Sequence, residues 1–230
     1  MRSFFVPAAA IVAVVSASAA VTTPAAPPRD LLVRAAFVTH DKAQAIAMVN
    51  SAIQQTQAVL AQAPNDREAL LQHAIALGYR GQLTRSPGDA RAARDGLQAL
   101  AKAYPRDPEV LVALAGWHLT VVGDLGGFVG GTLLGASRDT GLKLLDRAVA
   151  LGGNRAFFPA YAGLIRLRVD PRDTQGILPL LERSTGMAAP SSVDRVTQAS
   201  AQRVAALIRA GNASGAAALA KQLVPFGTTA

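Results

Sequence analysis

Leu60-Ala61-Gln62-Ala63-Pro64-Asn65-Asp66-Arg67-Glu68 and, about forty residues later, Ala101-Lys102-Ala103-Tyr104-Pro105-Arg106-Asp107-Pro108-Glu109 carry the punctuation that decides the fold. In each stretch a run rich in Ala and Leu meets a proline, which cannot continue a helix, and then an Asn or Asp, whose side chain accepts from the first free amides of the next one. The same chemistry recurs at Asp170-Pro171-Arg172-Asp173. Repeated stop and restart signals of this kind predict a stack of helical hairpins.

Outward from these turns the helix signals agree with one another. Asp41 precedes a segment reaching Gln62 in which Ala45, Val49, Ala52, Ile53, Val59 and Leu60 fall near helical spacing. Asn65 with Glu68 gives a capping pattern for a helix through about Leu83. Ser86-Pro87-Gly88-Asp89 offers an N-cap serine and a proline at the first helical position, opening a helix that ends near Tyr104. Asp107-Pro108-Glu109 starts Val110 to Val122, and Asp173 precedes Ile177 to Arg183. Ser191 with Asp194 caps Val196 to Arg209, Gly211 stops that helix and Asn212 starts the last. Alternating β-branched runs with hairpin turns are missing, so the expected class is all-α without a β-sheet.

The residues at the helix crossings resemble the tetratricopeptide-repeat family, in which each unit packs two antiparallel helices through small residues. Ala74, Ala115 and Ala162 match the small site of the first helix; Ala93, Gly141 and Gly176 match that of the second; Leu97, Leu145 and Leu180 match the large apolar site that follows. The likeness runs from about Ala43 to Val224, with Leu or Ile at most aromatic sites of the pattern and long turns near Ser86 and over Gly123 to Ser137. It implies a TPR-like α-solenoid that recognises partners on the concave face lined by the first helix of each unit. In plan the chain is also similar to exported bacterial repeat proteins, including those that accompany transporters, although it lacks a lipobox cysteine.

Met1-Arg2, the apolar run Phe4 to Val15 and the small residues Ala17-Ser18-Ala19 have the three parts of a secretory signal. The expectation is a cleavable signal over 1–20, cut after Ala19 or Ala20, in a bacterial protein bound for the periplasm or medium. A flexible leader over 21–30, one repeat domain over 31–225 with a Gly-rich insertion at 123–137, and a tail at 226–230 complete the expected organisation. The apolar run of the signal is too short to span a bilayer, so no transmembrane segment is expected after cleavage.

Cysteine is absent from the 230 residues, which removes disulfides, thiol nucleophiles, thiolate metal sites and haem attachment. With 50% hydrophobic residues the chain has the apolar surface for a core of its own. The formal charge is +8, but the basic residues are scattered among acids. Weak attraction to anionic surfaces follows from that balance, and nucleic acid is not an expected partner of an exported chain.

Gly123, Gly127, Gly131 and Gly135 recur at every fourth position of a stretch whose one charged residue is Asp124. The expected conformation there is an inserted loop, since several glycines together would cost a helix several kcal/mol at about 1 kcal/mol each. The spacing and the missing lysine do not suit a phosphate loop. His40, His73 and His118 form no helical metal-ligand pair, no nucleophile elbow occurs, and no cofactor or catalytic residue is predicted.

The candidates for the concave face are Gln72, His73 and Tyr79, then Trp117 and His118, then Phe158, Tyr161 and Arg166. Of the adjacent Phe157 and Phe158, one is expected to face inward and one outward. Aromatic surface with positive charge suits an acidic extended peptide or a small amphipathic molecule. The leading expectation is therefore a non-catalytic scaffold that binds another envelope protein or peptide. The other expectation is a periplasmic binding subunit for a small apolar or amphipathic ligand, with Gly123 to Gly135 as its lid. Docking of Val224-Pro225-Phe226 into the concave face would convert part of the site to core.

Overall fold

The caps and stops place eleven helices among residues 26–229, which are those that the computed structural model describes. They are α1 (Pro28–Phe37), α2 (Lys42–Gln62), α3 (Arg67–Thr84), α4 (Pro87–Ala103), α5 (Pro108–Leu125), α6 (Gly127–Leu134), α7 (Arg138–Leu151), α8 (Phe157–Val169), α9 (Thr174–Thr185), α10 (Ser192–Arg209) and α11 (Ala213–Leu223). The chain is all-α, and no sheet forms among the described residues, where Arg155 and Ala188 make one isolated bridge. The signal over 1–20 and residues 21–25 of the expected leader lie outside the described residues.

Local chemistry accounts for the starts. Asp41, Asp66, Ser86, Asp107, Ser137, Asp173, Ser191 and Asn212 each accept from a backbone amide in the first turn of the helix they open. The cap of α3 is Asp66, whose carboxylate reaches the amide of Ala69 at 2.7 Å, one residue later than the Asn65 pattern predicted. Ser191 and Asp194 form a full capping box.

Helices pack largely in sequence order: α2 on α1 and α3, α3 on α4, α5 on α7, α8 on α9, and α10 and α11 back onto α8. Three cores result. Leu32, Val49, Ile53 and Leu83 join α1, α2 and α3. Leu71, Leu97, Leu114 and Trp117 join α3, α4 and α5. Leu119, Leu145, Phe158, Leu164, Leu181 and Val204 belong to the largest, between α5 and the later helices. Ala74, Ala93, Ala115 and Ala162 are buried at the crossings, as are Leu97 and Leu145.

In the third hairpin the register differs by one. Gly176 is exposed beside its N-cap Asp173, Leu180 is only half-buried, and Ile177 and Leu181 fill the core instead. The reason is on the facing helix, where Gly163 leaves the space that the Leu181 side chain enters.

Two further expectations are corrected. Residues 28–30 are helical rather than leader, because Pro28 suits the first turn of α1 and Leu32, Val33, Ala35 and Ala36 bury its inner side. The Gly-rich insertion is helical rather than a loop: α5 runs on to Leu125 and α6 follows at once. Gly126 at φ +78° and Gly135 at φ +71° make the two bends that bracket α6. The propensity penalty is offset by a close approach that only glycine allows, since a Cβ on Gly130 would lie 3.1 Å from Val121 Cγ1. The Gly135 and Ala136 amides then bond back to Gly131 and Gly130.

Candidate functional site

α3, α5 and α8, each paired with a helix that follows it, line a common hollow. That hollow is not an open concave face. α1 lies along it, and residues 226–229, expected as a tail, fold across it. The Phe226 amide donates to Ala36 O at 2.8 Å, its ring meets Tyr79 edge-on at 4.9 Å, and Thr229 reaches Thr39 O. What remains is a groove of about 1010 Å³.

Its walls are mainly apolar, with Leu32, Ile75 and Val112 among the aliphatics and Trp117, Phe157 and Tyr161 among the aromatics. Leu125, Val129 and Leu133 from the end of α5 and from α6 form one side of its mouth. Glycine shapes the floor: a Cβ on Gly116 would stand 2.6 Å from the Tyr161 hydroxyl, so that ring lies directly across α5. Burial pushes the Tyr161 phenol up to about 12, against the opposing charge of Arg168. Tyr79 is raised further, by burial and then by Tyr161. Both hydroxyls therefore stay protonated, and neither forms a hydrogen bond with a protein group among the described residues.

Charge is concentrated at one end of the groove. Arg29 of α1 bonds Glu68 of α3 and Glu109 of α5, while Arg155 bridges Glu109 at 2.7 Å to Asp194 of α10 at 3.0 Å. Arg67 pairs with Asp107 and Glu109. Burial alone would raise the Glu109 carboxyl, but hydrogen bonds and charge from Arg29 and Arg155 outweigh it and hold the group down to about 2. Asp194 is lowered too, burial being overcome by bonds from Arg155 and Ser191. At the rim, Lys42 and Arg85 line the groove and make no ion pair among the described residues. Arg85 sits at φ +55°, in the left-handed region that costs a side chain about 1 kcal/mol or more.

Of the eight residues predicted for the concave face, Gln72, Tyr79, Trp117 and Tyr161 line this groove. Gln72 is buried and donates to Glu68 at 3.0 Å. Trp117 is largely core, its indole N–H donating to Ala90 O at 3.0 Å.

The other four point elsewhere. His73 faces α2, where its Nδ1 lies 2.9 Å from the Thr56 hydroxyl. His118 turns toward α7 and accepts from the Ser137 amide at 3.2 Å; burial, helped by Arg94, lowers it to about 4. Phe158 is core beneath Arg155, and its neighbour Phe157 is the one that reaches the groove. Arg166 leaves α8 on the side of α7 and pairs with Asp146.

Sequence reasoning missed Arg29 and Glu109 as parts of the site's frame, whereas Phe226 docks in the hollow as one of its expectations had it. The signal of the two charges was faint, because each looks locally like an ordinary first-turn residue. No group of three or more His, Asp or Glu that could hold a metal occurs among the described residues. Comparison with protein-family models, with curated proteins and with solved structures finds no match to this chain.

Proposed function

We propose that this chain is an exported, non-catalytic helical scaffold that binds one amphipathic small molecule, an apolar chain with an anionic head, in the groove between α1, α3, α5 and α8. The observation that carries the reading is the groove itself. Its volume of about 1010 Å³ lies at the top of the range of small-molecule pockets, and aliphatic and aromatic walls enclose a few polar groups. Tyr79 and Tyr161 bring hydroxyls that bond to no protein group among the described residues, and Lys42 and Arg85 supply positive charge at the rim. An extended protein segment bound along the same hollow would first have to displace α1 or Phe226. That favours the small ligand over the envelope-protein partner.

Titration with dansylundecanoate, an apolar chain with a carboxylate and an environment-sensitive fluorophore, tests the reading. Ala113 borders the groove on α5, and Ala113→Phe should fill it and weaken the probe by about tenfold while helicity is unchanged. Lys42→Glu with Arg85→Glu should weaken the carboxylate probe and spare its methyl ester. A probe that fails to bind, together with native mass spectra showing no co-purified molecule, would overturn the proposal.

A further inference from the structure

The corner formed by the end of α5 and by α6 is unlike the rest of the surface. From Leu125 to Ala136 there is no charged residue, and within this stretch Phe128 is 86% exposed and Leu133 58% exposed, with Leu125 and Val129 also in solvent. Four large exposed apolar side chains within nine residues, Leu125 ending α5 and the other three on α6, form a patch of the kind that marks an interaction surface. The patch is continuous with the groove, since Leu125, Val129 and Leu133 belong to both.

The surroundings indicate the occupant. Antiparallel hairpins bring the C-terminal ends of α3, α5 and α8 and the N-terminal ends of α4, α7 and α9 to the same edge as α6. On that edge Asp89 is tied to Arg80, Asp95 to Arg94, Asp124 to Arg168 and Asp170 to Arg138. Arg85, Arg91 and Arg172 make no ion pair among the described residues, and Arg94 also reaches the Leu134 carbonyl at 2.7 Å. The opposing charges left over are Asp139 in the first turn of α7 and Asp173 at the cap of α9. An uncharged apolar tip beside three arginines outside any described ion pair and two such carboxylates, a small positive excess, matches a lipid surface carrying anionic headgroups. A second copy of the chain fits less well, because four side chains fall far short of the roughly twenty residues per partner that a stable protein interface uses.

We infer that the Leu125–Leu133 corner docks the protein on an anionic bilayer, with Phe128 and Leu133 entering the headgroup layer, so that the mouth of the groove opens toward the lipid from which its ligand comes. The source of the ligand rests on the groove-binding reading given above; the docking itself does not. α6 has eight residues and lies on the membrane in this arrangement rather than crossing it, and no described helix is long and apolar enough to span a bilayer.

The test is co-sedimentation of the purified protein with vesicles of phosphatidylglycerol and phosphatidylethanolamine, and with phosphatidylcholine vesicles as the uncharged control. The wild type should partition to the anionic vesicles, less so at high salt, and Phe128→Asp with Leu133→Asp should lower that partition by about tenfold. Both positions are exposed, so the circular dichroism and the urea midpoint should be unchanged. Dansylundecanoate binding by Phe128→Asp alone, whose side chain is not part of the groove lining, measured without vesicles, should equal that of the wild type. Equal partition of variant and wild type, or no partition of either, overturns the docking. A dimer that the two substitutions dissolve overturns it in favour of self-association. Loss of dansylundecanoate binding in wild type and variant alike, with vesicle binding intact, removes the groove reading and leaves the docking in place.

Discussion

At the scale of single residues, glycines and alanines that seem merely permissive set how close the helices come. A Cβ on Gly141 would stand 2.8 Å from Leu119 Cδ2 and 3.1 Å from His118 Cβ, both on buried residues. Gly141→Ala should therefore destabilise the protein by about 1 kcal/mol, overpacking exceeding the gain in helix propensity, which a lower urea midpoint would register. Trp117 is among the concave-face candidates of the sequence, which would make Trp117→Ala an obvious probe of binding. With its indole buried and bonded to Ala90, the same change should cost about 3–5 kcal/mol. Arg85 makes the reverse prediction. Arg85→Gly removes a side chain from the left-handed region and should raise stability by about 1 kcal/mol, yet weaken dansylundecanoate because a rim charge is lost. Higher stability with unchanged probe affinity would show that the strain serves no binding role.

At the scale of elements, the starts of helices were legible and the conformation of the glycine-rich stretch was not. Caps are local: Asp107 accepts from the amides of Glu109 and Val110 whatever lies farther along the chain, so its role could be read from three residues. The helicity of α6 is not local, because it depends on Val121 meeting Gly130 across the bend at Gly126. Two substitutions with opposite signs follow. Gly127→Ala enters open space at the start of α6 and should stabilise it by about half a kcal/mol, whereas Gly135→Ala, at φ +71°, should cost about 1 kcal/mol. Amide hydrogen exchange across residues 127–134 should slow in the first variant and quicken in the second. The third hairpin teaches the same lesson, since Gly176 and Leu180 fit a spacing rule while the gap at Gly163 selected Ile177 and Leu181.

At the scale of the whole molecule, contacts distant in sequence tie the helices together. Ser192 donates to Asp30 at 2.8 Å, which joins α10 to α1, and Glu109 of α5 is tied to α1 through Arg29 and to the segment ahead of α8 through Arg155. The Glu109 carboxyl titrates near 2 when folded and near 4.5 without its partners, so its contribution is full above about pH 4.5 and is lost as pH falls toward 2. After allowance for solvent screening that contribution is about 1–2 kcal/mol, and Glu109→Gln should flatten the acid limb of stability against pH over this window. Phe226→Ala should loosen another of these ties, lowering stability by about 2 kcal/mol and speeding amide exchange in α1 more than in α9. The sequence by itself determined the all-α class, most helix starts and the small residues at the first two crossings, because caps, prolines and apolar spacing act over a few residues. Only the tertiary structure decided that α1 and Phe226 would close the concave face into a groove, that His73, His118, Phe158 and Arg166 would turn away from it, and that Arg29 and Glu109 would frame it. Those outcomes depend on residues from 17 to 190 positions apart meeting in space, and no local pattern encodes such a meeting.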